Sequence, residues 1–194
     1  MKYCDRIILA SASPRRKEIL GDMGLTFEVI PGDVDESCVH IKNPVALTKR
    51  LSALKANAVN ADGATVIAAD TVVVFRGRIY GKPHTKERAV EMLSVLSGHW
   101  HTVCTGVTVK QGERSVTFAV KSYVKFKRLT EEDILSYVEE TNPVDKAGAY
   151  GIQDGRVVQK YSGSYSNIVG LPKEKLAKTL ARMGVNNGYN RTFH

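Results

Sequence analysis

The residues best suited to bind an anion lie between an apolar run and the start of a predicted helix. Ser11-Ala12-Ser13-Pro14-Arg15-Arg16 directly follows the apolar residues 7–10. Pro14 suits the first position of a helix, and Ser13 before it can cap the first turn. The N–H groups at a helix start attract anions, and two hydroxyls and two guanidiniums add donors that match phosphate oxygens. The segment therefore predicts a phosphate site, although an ordinary capped helix with solvated arginines also fits it.

A carboxylate within an apolar run is a second candidate for chemistry. Asp70 interrupts Ile67-Ala68-Ala69-Asp70-Thr71-Val72-Val73, and burying a carboxylate in a strand is costly unless it is paired or binds a cation. Asp35 and Glu36 would supply the further oxygen ligands that Mg²⁺ or Mn²⁺ prefers beside phosphate and water. A metal site is one interpretation; the other is a buried Asp that pairs with Arg or caps a turn.

Two lysines are placed where they could neutralise phosphate. Lys55 lies on the edge of the apolar face of a predicted helix, so it can leave the core for a cleft. Lys82, in the tight turn Gly81-Lys82-Pro83, is presented as a phosphate-binding lysine must be. Neither G-x-x-x-x-G-K-S/T nor G-x-G-x-x-G occurs, so a nucleotide would need a different architecture from the common ones.

The elements that must position these residues alternate between strand and helix, which predicts an α/β fold with a mixed central sheet. Strands are predicted over 7–10, 27–30 and 65–75, the last broken at Asp70-Thr71, with a hairpin of 103–109 and 116–126. Helices are predicted over 14–23, 85–97 and 130–140, from Pro44 with Leu47, Leu51, Leu54 and Ala58 inward, and from Leu176 to Gly184. We expect one domain over 1–185, in which the hairpin contributes to a second lobe, and a disordered tail over 186–194.

The bulk composition is that of a globular protein with an anionic partner. Of its 194 residues 43% are hydrophobic and 25% charged, and the net charge is +8, with the cations spread along the chain. The three cysteines show no metal-ligand spacing, which indicates free thiols of a reducing, cytoplasmic compartment. Residues 66–75, the best candidate for a membrane span, are too few and contain Asp70, so we expect no membrane contact. The N-terminus does not resemble a secretion signal.

Taken together, the ordered motifs resemble those of the Maf family of nucleoside triphosphate pyrophosphatases, over residues 7 to about 183. They are residues 11–16, Val34-Asp35-Glu36-Ser37, Lys55-Ala56, Ala69-Asp70-Thr71, Gly81-Lys82-Pro83, Ser97-Gly98, 145–153 and 163–172. The resemblance implies a mixed, twisted sheet with flanking helices and two lobes about a nucleotide cleft, similar to the inosine triphosphate pyrophosphatases. It also implies metal-dependent release of pyrophosphate from a nucleoside triphosphate.

Motif residues place the chain with the branch of that family that acts on dTTP and UTP, and not with the branch for 7-methyl-GTP. Arg15, Thr71 and Gln153 stand where the second branch tends to carry Trp, Gln and Glu. The Gln153 amide offers a donor and an acceptor, as the edge of uracil or thymine requires. Two residues depart from the family pattern. Ser52 replaces a usual Ala, and Asp154 replaces a usual Gly, which allows backbone angles that Asp adopts only at a cost.

The resemblance also implies roles for the site residues. Asp70 would accept a proton from a water activated beside Mg²⁺ or Mn²⁺, and Glu36 and Asp70 would hold the metal. The other expected catalytic residues are Lys55 and Lys82, which would offset phosphate charge. The expected substrate-binding residues are Ser11, Ser13, Arg15, Arg16, Thr71 and Gln153. The alternatives are a 7-methyl-GTP or broader nucleotide pyrophosphatase, a non-enzymatic nucleic-acid-binding module suggested by the charge, and a regulator of cell division. We expect no stable nucleic-acid partner; homodimers occur among the relatives.

Overall fold

The computed structural model describes residues 6–185. Its strands are β1 (Ile7–Leu9), β2 (Glu28–Val29), β3 (Thr65–Phe75), β4 (Arg78–Tyr80), β5 (Trp100–Gln111), β6 (Arg114–Phe126) and β7 (Val158–Ser162). Its α-helices are α1 (Pro14–Asp22), α2 (Pro44–Ala58), α3 (Lys86–Leu96), α4 (Glu131–Thr141), α5 (Tyr165–Val169) and α6 (Lys173–Met183). The expected alternation of strands and helices is confirmed.

The strands form one mixed sheet in the order β2-β1-β3-β5-β6-β7, with β4 paired to β3 outside this path. β1 runs parallel to both β2 and β3, and Ile8 lies opposite Glu28 on one side and Val66 on the other. β4 and β7 run antiparallel to β3 and β6. Only antiparallel neighbours can be joined by a connection as short as Gly112-Glu113, which lies between β5 and β6. The prediction of a mixed sheet with a hairpin is therefore confirmed.

β3 corrects one prediction, because it continues through Asp70-Thr71 without a break. The backbone of a strand pairs whatever its side chains are, and the cost of burying the Asp70 carboxylate is offset by an ion pair with Lys55 at 2.6 Å. The short strand β4 was not predicted. It forms because Arg76 and Gly77, with φ of 46° and 75°, make a turn that pairs Phe75 with Arg78.

The helix ends agree with their sequence signals, with one exception. The Asn43 side chain accepts hydrogen bonds from the N–H groups of Val45 and Ala46 at the start of α2. Thr130 and Asp133 form the capping box expected at the start of α4. Ser13 stands at the N-cap of α1, but its side chain makes no capping hydrogen bond, so the predicted cap is wrong.

The buried face of α2 also differs from the prediction. Thr48, Leu51, Ser52 and Ala56 are buried, whereas Leu47 and Leu54 are half-buried and Ala58 is exposed. The helix can turn hydroxyls inward because they are satisfied there. The Thr48 hydroxyl donates to the Pro44 carbonyl at 2.9 Å, and the Ser52 and Thr108 hydroxyls are hydrogen-bonded at 3.0 Å.

The described residues divide into two compact units. The first unit contains 6–70, 105–120 and 170–185, and the second contains 71–104 and 121–169. A core of the first unit includes the buried Ile8, Ala56 and Val66. In the second, His101, Phe126 and Tyr150 pack edge to face with ring centroids 4.8 to 5.4 Å apart. One domain over 1–185 and a cleft between lobes stay predictions, and the tail over 186–194 lies outside the described residues.

Within residues 6–185, no helix is both long and apolar enough to cross a membrane.

Candidate active site

The centre of the candidate site is one ammonium group held between two carboxylates. Lys55 Nζ lies 2.6 Å from Asp70 Oδ1 and 2.7 Å from Glu36 Oε1. The Lys55 and Asp70 side chains are only 14% and 10% exposed, whereas that of Glu36 is 51% exposed. A buried ion pair is strongly affected by removal of one partner, because the other charge is then left uncompensated. The three charges therefore depend on one another for their positions, and the predicted Glu36, Lys55 and Asp70 lie together.

Lys55 is held in place by the turn that follows β2. Gly32 in this turn packs so closely on α2 that a Cβ at this position would lie 2.2 Å from the Lys55 carbonyl oxygen. A residue with any side chain would therefore push the turn away from the helix. Pro31-Gly32 is typical of a turn, but nothing in the sequence pattern indicates that this turn packs against the lysine.

Asp35 holds the turn that presents Glu36. Its carboxylate accepts hydrogen bonds from the Ser37 N–H at 2.9 Å, the Ser37 hydroxyl at 2.6 Å and the Cys38 thiol at 3.5 Å. These hydrogen bonds, chiefly that from the Ser37 hydroxyl, hold the pKa of Asp35 below its usual value. Asp35 thus caps the short 3₁₀ turn Glu36–Cys38. These hydrogen bonds give Asp35 a positioning role in the turn, and its interpretation as a further metal ligand stays a prediction.

Arg16 is the fixed member of the arginine pair. Its Nη1 donates to the Ser11 hydroxyl oxygen and its Nε to the Gly170 carbonyl, both at 2.9 Å. Burial lowers the pKa of this guanidinium, the negative charge of Asp70 raises it, and the neighbouring Arg15 lowers it again. An arginine remains charged in proteins, so Arg16 stays a cation that feels the negative charges of Asp70 and Glu36.

The other residues of the predicted anion segment lie beside this cation. Ser13 and Arg15 are half-buried, and the Ser13 N–H approaches the Ser11 hydroxyl at 3.4 Å. The Gly170 carbonyl orients Arg16, a role that the motif over 163–172 does not predict. The signal that could have found it is the glycine itself, because it adopts a φ of 124°, which side chains disfavour.

The donor set fits a divalent cation that is shared with substrate. Within residues 6–185, no group of three or more His, Cys, Asp or Glu side chains could hold a metal ion. Mg²⁺ usually binds through one or two carboxylates and completes its shell with phosphate oxygens and water. Glu36 and Asp70, which already converge on one cation, are a pair of that kind.

Three predicted site residues belong to the second unit. Thr71 is half-buried on β3, and Lys82 and Gln153 are exposed. The turn that carries Lys82 is anchored on both sides, since the Gly81 carbonyl accepts from the Gly148 N–H and the His84 N–H donates to the Val144 carbonyl. Their assignment to the same substrate as Asp70 stays a prediction.

The two departures from the family pattern cause no backbone strain. The positive φ near Gln153 falls on Gly155, at 66°, and not on Asp154. The expected cost of Asp at this position is therefore absent. Ser52 is buried in α2, where its hydroxyl is bonded to the Lys49 carbonyl and to Thr108.

Comparisons with known proteins agree with this description. The family model described as Maf-like protein matches residues 6–183. A protein named dTTP/UTP pyrophosphatase from Thermosipho africanus is 50% identical over 88% of this chain and 90% of its own. Another of that name from Geotalea uraniireducens is 47% identical over 95% of this chain and 98% of its own.

Among solved structures, the chain resembles Ham1 proteins. That from Coxiella burnetii matches with a TM-score of 0.51 and 15% identity, covering 92% of this chain and 99% of its own. That from Staphylococcus aureus matches with a TM-score of 0.50 and 17% identity, covering 93% and 100%. These likenesses confirm the expected α/β fold class.

Proposed function

The chain belongs to the Maf family, and on this premise we propose that it hydrolyses dTTP and UTP to the monophosphate and pyrophosphate. The observation that carries the chemistry is the contact of Lys55 with both Asp70 and Glu36, which gathers a proton acceptor and a metal-binding carboxylate at one cation. The proposed substrates rest on the relatives named dTTP/UTP pyrophosphatase, which are 42 to 50% identical to this chain.

Asp70 is the proposed base. Its carboxylate accepts a proton from the water that attacks the α-phosphorus, while the bond from that phosphorus to the bridging oxygen breaks and pyrophosphate leaves. Lys55 keeps the Asp70 carboxylate in place at 2.6 Å and offsets negative charge beside it. In this site, positioning and charge neutralisation do most of the catalysis, as is general for phosphoryl chemistry.

The proposed metal ligands are Glu36 and Asp70. When bound, Mg²⁺ or Mn²⁺ supplies neutralisation of phosphate charge and lowers the pKa of a coordinated water. Glu36 is suited to this because its side chain is half exposed and held by the turn that Asp35 caps.

The cations of the first unit are proposed to bind the triphosphate. Arg16 is anchored by Ser11 and Gly170, and Arg15 and Ser13 lie beside it at the start of α1. For Lys82, Thr71 and Gln153 the support is the resemblance in their motifs. We propose that Lys82 binds phosphate and that Thr71 and Gln153 read the base.

The remaining proposals concern partners and compartment. We propose that the chain binds a nucleoside triphosphate as its substrate and forms no stable complex with nucleic acid. We also propose that the chain can form a homodimer, which light scattering at several protein concentrations would measure. The proposal of a reducing cytoplasmic compartment rests on cysteine usage, and within the described residues neither Cys38 nor Cys104 forms a disulfide.

A panel of triphosphates tests the function. The chain is incubated with dTTP, UTP, CTP, GTP and 7-methyl-GTP in Mg²⁺ or Mn²⁺, and pyrophosphate and orthophosphate are measured separately, with Asp70→Asn as the matched control. We expect pyrophosphate from dTTP and UTP. Orthophosphate as the first product would indicate a γ-phosphatase and refute the proposal. A preference for 7-methyl-GTP would favour the other branch, and salt-sensitive DNA binding without turnover would favour a nucleic-acid-binding module.

A further inference from the structure

The residue beside Gln153 has a contact that the proposed chemistry does not use. Asp154 ends the 3₁₀ turn Ile152–Asp154, and its Oδ2 accepts a hydrogen bond from the Tyr137 hydroxyl at 2.5 Å. The same hydroxyl oxygen accepts from the Gly151 N–H at 3.1 Å. One buried tyrosine of α4 therefore binds the residue before the turn and the last residue of the turn.

From this geometry we infer that Asp154 and Tyr137 are positioning residues for base recognition, because together they fix the turn that presents Gln153. The inference rests on the proposed function, in which Gln153 reads the pyrimidine base. It adds two residues that support Gln153 in recognising the base, and neither of them is expected to contact the substrate.

The turn is stabilised by a backbone hydrogen bond and by a side-chain contact. The Asp154 N–H donates to the Gly151 carbonyl at 3.3 Å. A Cβ on Gly151 would lie 2.9 Å from Asp154 Oδ2, so the carboxylate packs directly over the glycine. Ile152 is buried, which leaves Gln153 as the exposed residue between two fixed neighbours.

Tyr137 is itself firmly held, so it can serve as a fixed point. Its side chain is among the largest fully buried ones in the described chain, and Ile134 and Val138 of the same helix are also buried. The Arg156 guanidinium lies 5.8 Å from the centre of its ring, and Arg156 pairs with Glu140 at 2.5 Å. Burial, and then the hydrogen bond to Asp154, raise the pKa of Tyr137, so the hydroxyl remains a donor at neutral pH.

A fixed turn matters for discrimination because an amide recognises a base only through correctly aimed donor and acceptor atoms. A mobile turn would let the Gln153 amide adapt to other bases and would add an entropic cost to binding the correct one. Loss of the Tyr137 contact should therefore weaken selectivity, and it should raise KM for UTP more than it lowers kcat.

Steady-state kinetics with UTP and GTP test the inference. Asp154→Ala and Tyr137→Phe each remove the hydrogen bond from one side, and we expect the ratio of kcat/KM for UTP over GTP to fall about tenfold. Asp154→Asn keeps an oxygen acceptor and should stay within about twofold of the unaltered chain. The matched control is Glu139→Gln on α4, the helix that carries Tyr137; it removes an exposed carboxylate that pairs with Lys86 of α3.

The outcomes separate this inference from the proposed function. If the unaltered chain does not hydrolyse UTP, the proposed function fails. If it prefers UTP and the ratio stays within twofold in Asp154→Ala or Tyr137→Phe, the contact is structural and the inference is wrong. Equal losses in Asp154→Asn and Asp154→Ala would also overturn it, because charge and not the hydrogen bond would then matter. If one variant does not fold, the other decides, since both remove the same bond.

Discussion

The two units of the chain use their buried polar groups in opposite ways. In the first, full charges are held: Lys55 pairs with Asp70 and Glu36, and the Arg16 guanidinium donates to the Ser11 hydroxyl and the Gly170 carbonyl. In the second, the buried contacts are made by neutral tyrosine hydroxyls: that of Tyr137 with the Gly151 N–H and the Asp154 carboxylate, and that of Tyr150 with His101 at 2.9 Å. Charges can stabilise a reaction in which charge moves, whereas neutral hydrogen bonds and ring contacts mainly fix shape. The comparison suggests chemistry in the first unit and recognition in the second.

The largest effect is expected from Asp70→Asn. The asparagine keeps an oxygen to which Lys55 can donate, but it cannot accept a proton from water. We expect turnover of UTP to fall by about 10² to 10⁴, the typical value for loss of a general base, with the fold retained. Pyrophosphate release and circular dichroism measure the two quantities. Near-normal turnover would show that Asp70 is not the general base, and the first unit would then lose its proposed catalytic role.

The buried histidine of the second unit should make stability depend on pH. Burial lowers the pKa of His101 to about 4, from 6.5. Between these values the unfolded chain binds a proton that the folded chain does not, so stability falls as the pH drops from about 6.5 towards 4. From pH 7 to pH 4 this residue should cost on the order of 3 kcal/mol.

Urea unfolding at pH 7, 5.5 and 4.5 measures this slope. His101→Gln should show a shallower slope than the unaltered chain, and His40→Gln, at an exposed position, serves as the control. Identical slopes in all three proteins would show that protonation of His101 does not cause the pH dependence of stability.

The charged group of the first unit should show strong coupling in stability. Lys55→Met leaves the Asp70 carboxylate buried without its cation, so we expect a loss of about 2 kcal/mol in the free energy of unfolding. Adding Asp70→Asn to Lys55→Met removes the uncompensated charge and should recover most of the loss. Denaturant unfolding of the two single variants and the double variant measures the coupling. Additive effects would mean that the ion pair contributes little.

The smallest effect concerns the base. Glu at position 153 offers only acceptors when ionised, whereas the edge of uracil presents both a donor and acceptors. Gln153→Glu should therefore lower the preference for UTP over GTP by about tenfold. Competition between the two nucleotides in one reaction measures the preference directly. An unchanged preference would show that Gln153 does not recognise the base.

Much of the fold could be predicted because its signals are local. Pro44 after Asn43, the Thr130 and Asp133 capping box and Gly184 after α6 each determine a helix end through nearby hydrogen bonds or backbone angles. The break at Asp70 and the apolar face of α2 were predicted wrongly for a shared reason. In both cases the local pattern could not identify the partner distant in sequence, Lys55 for Asp70 and Thr108 for Ser52, that lets the polar side chain be buried within the element.

The candidate site shows the same limit. Residue types and motif order were enough to select Glu36, Lys55 and Asp70. The close approach of Gly32 to Lys55 could not be found, because main-chain packing leaves no signature in side-chain chemistry, and the only sequence signal for the Gly170 carbonyl is the glycine itself.

The amino-acid sequence by itself determined the alternation of strands and helices and the family, and it predicted a set of residues for phosphate binding. Hydrophobic periodicity and caps act over a few residues, so they can be read along the chain. Only the tertiary structure decided which charges meet. The contacts of Lys55 with Asp70 and of Tyr137 with Asp154 join residues 15 and 17 positions apart, and the geometry of strand and turn sets their distances.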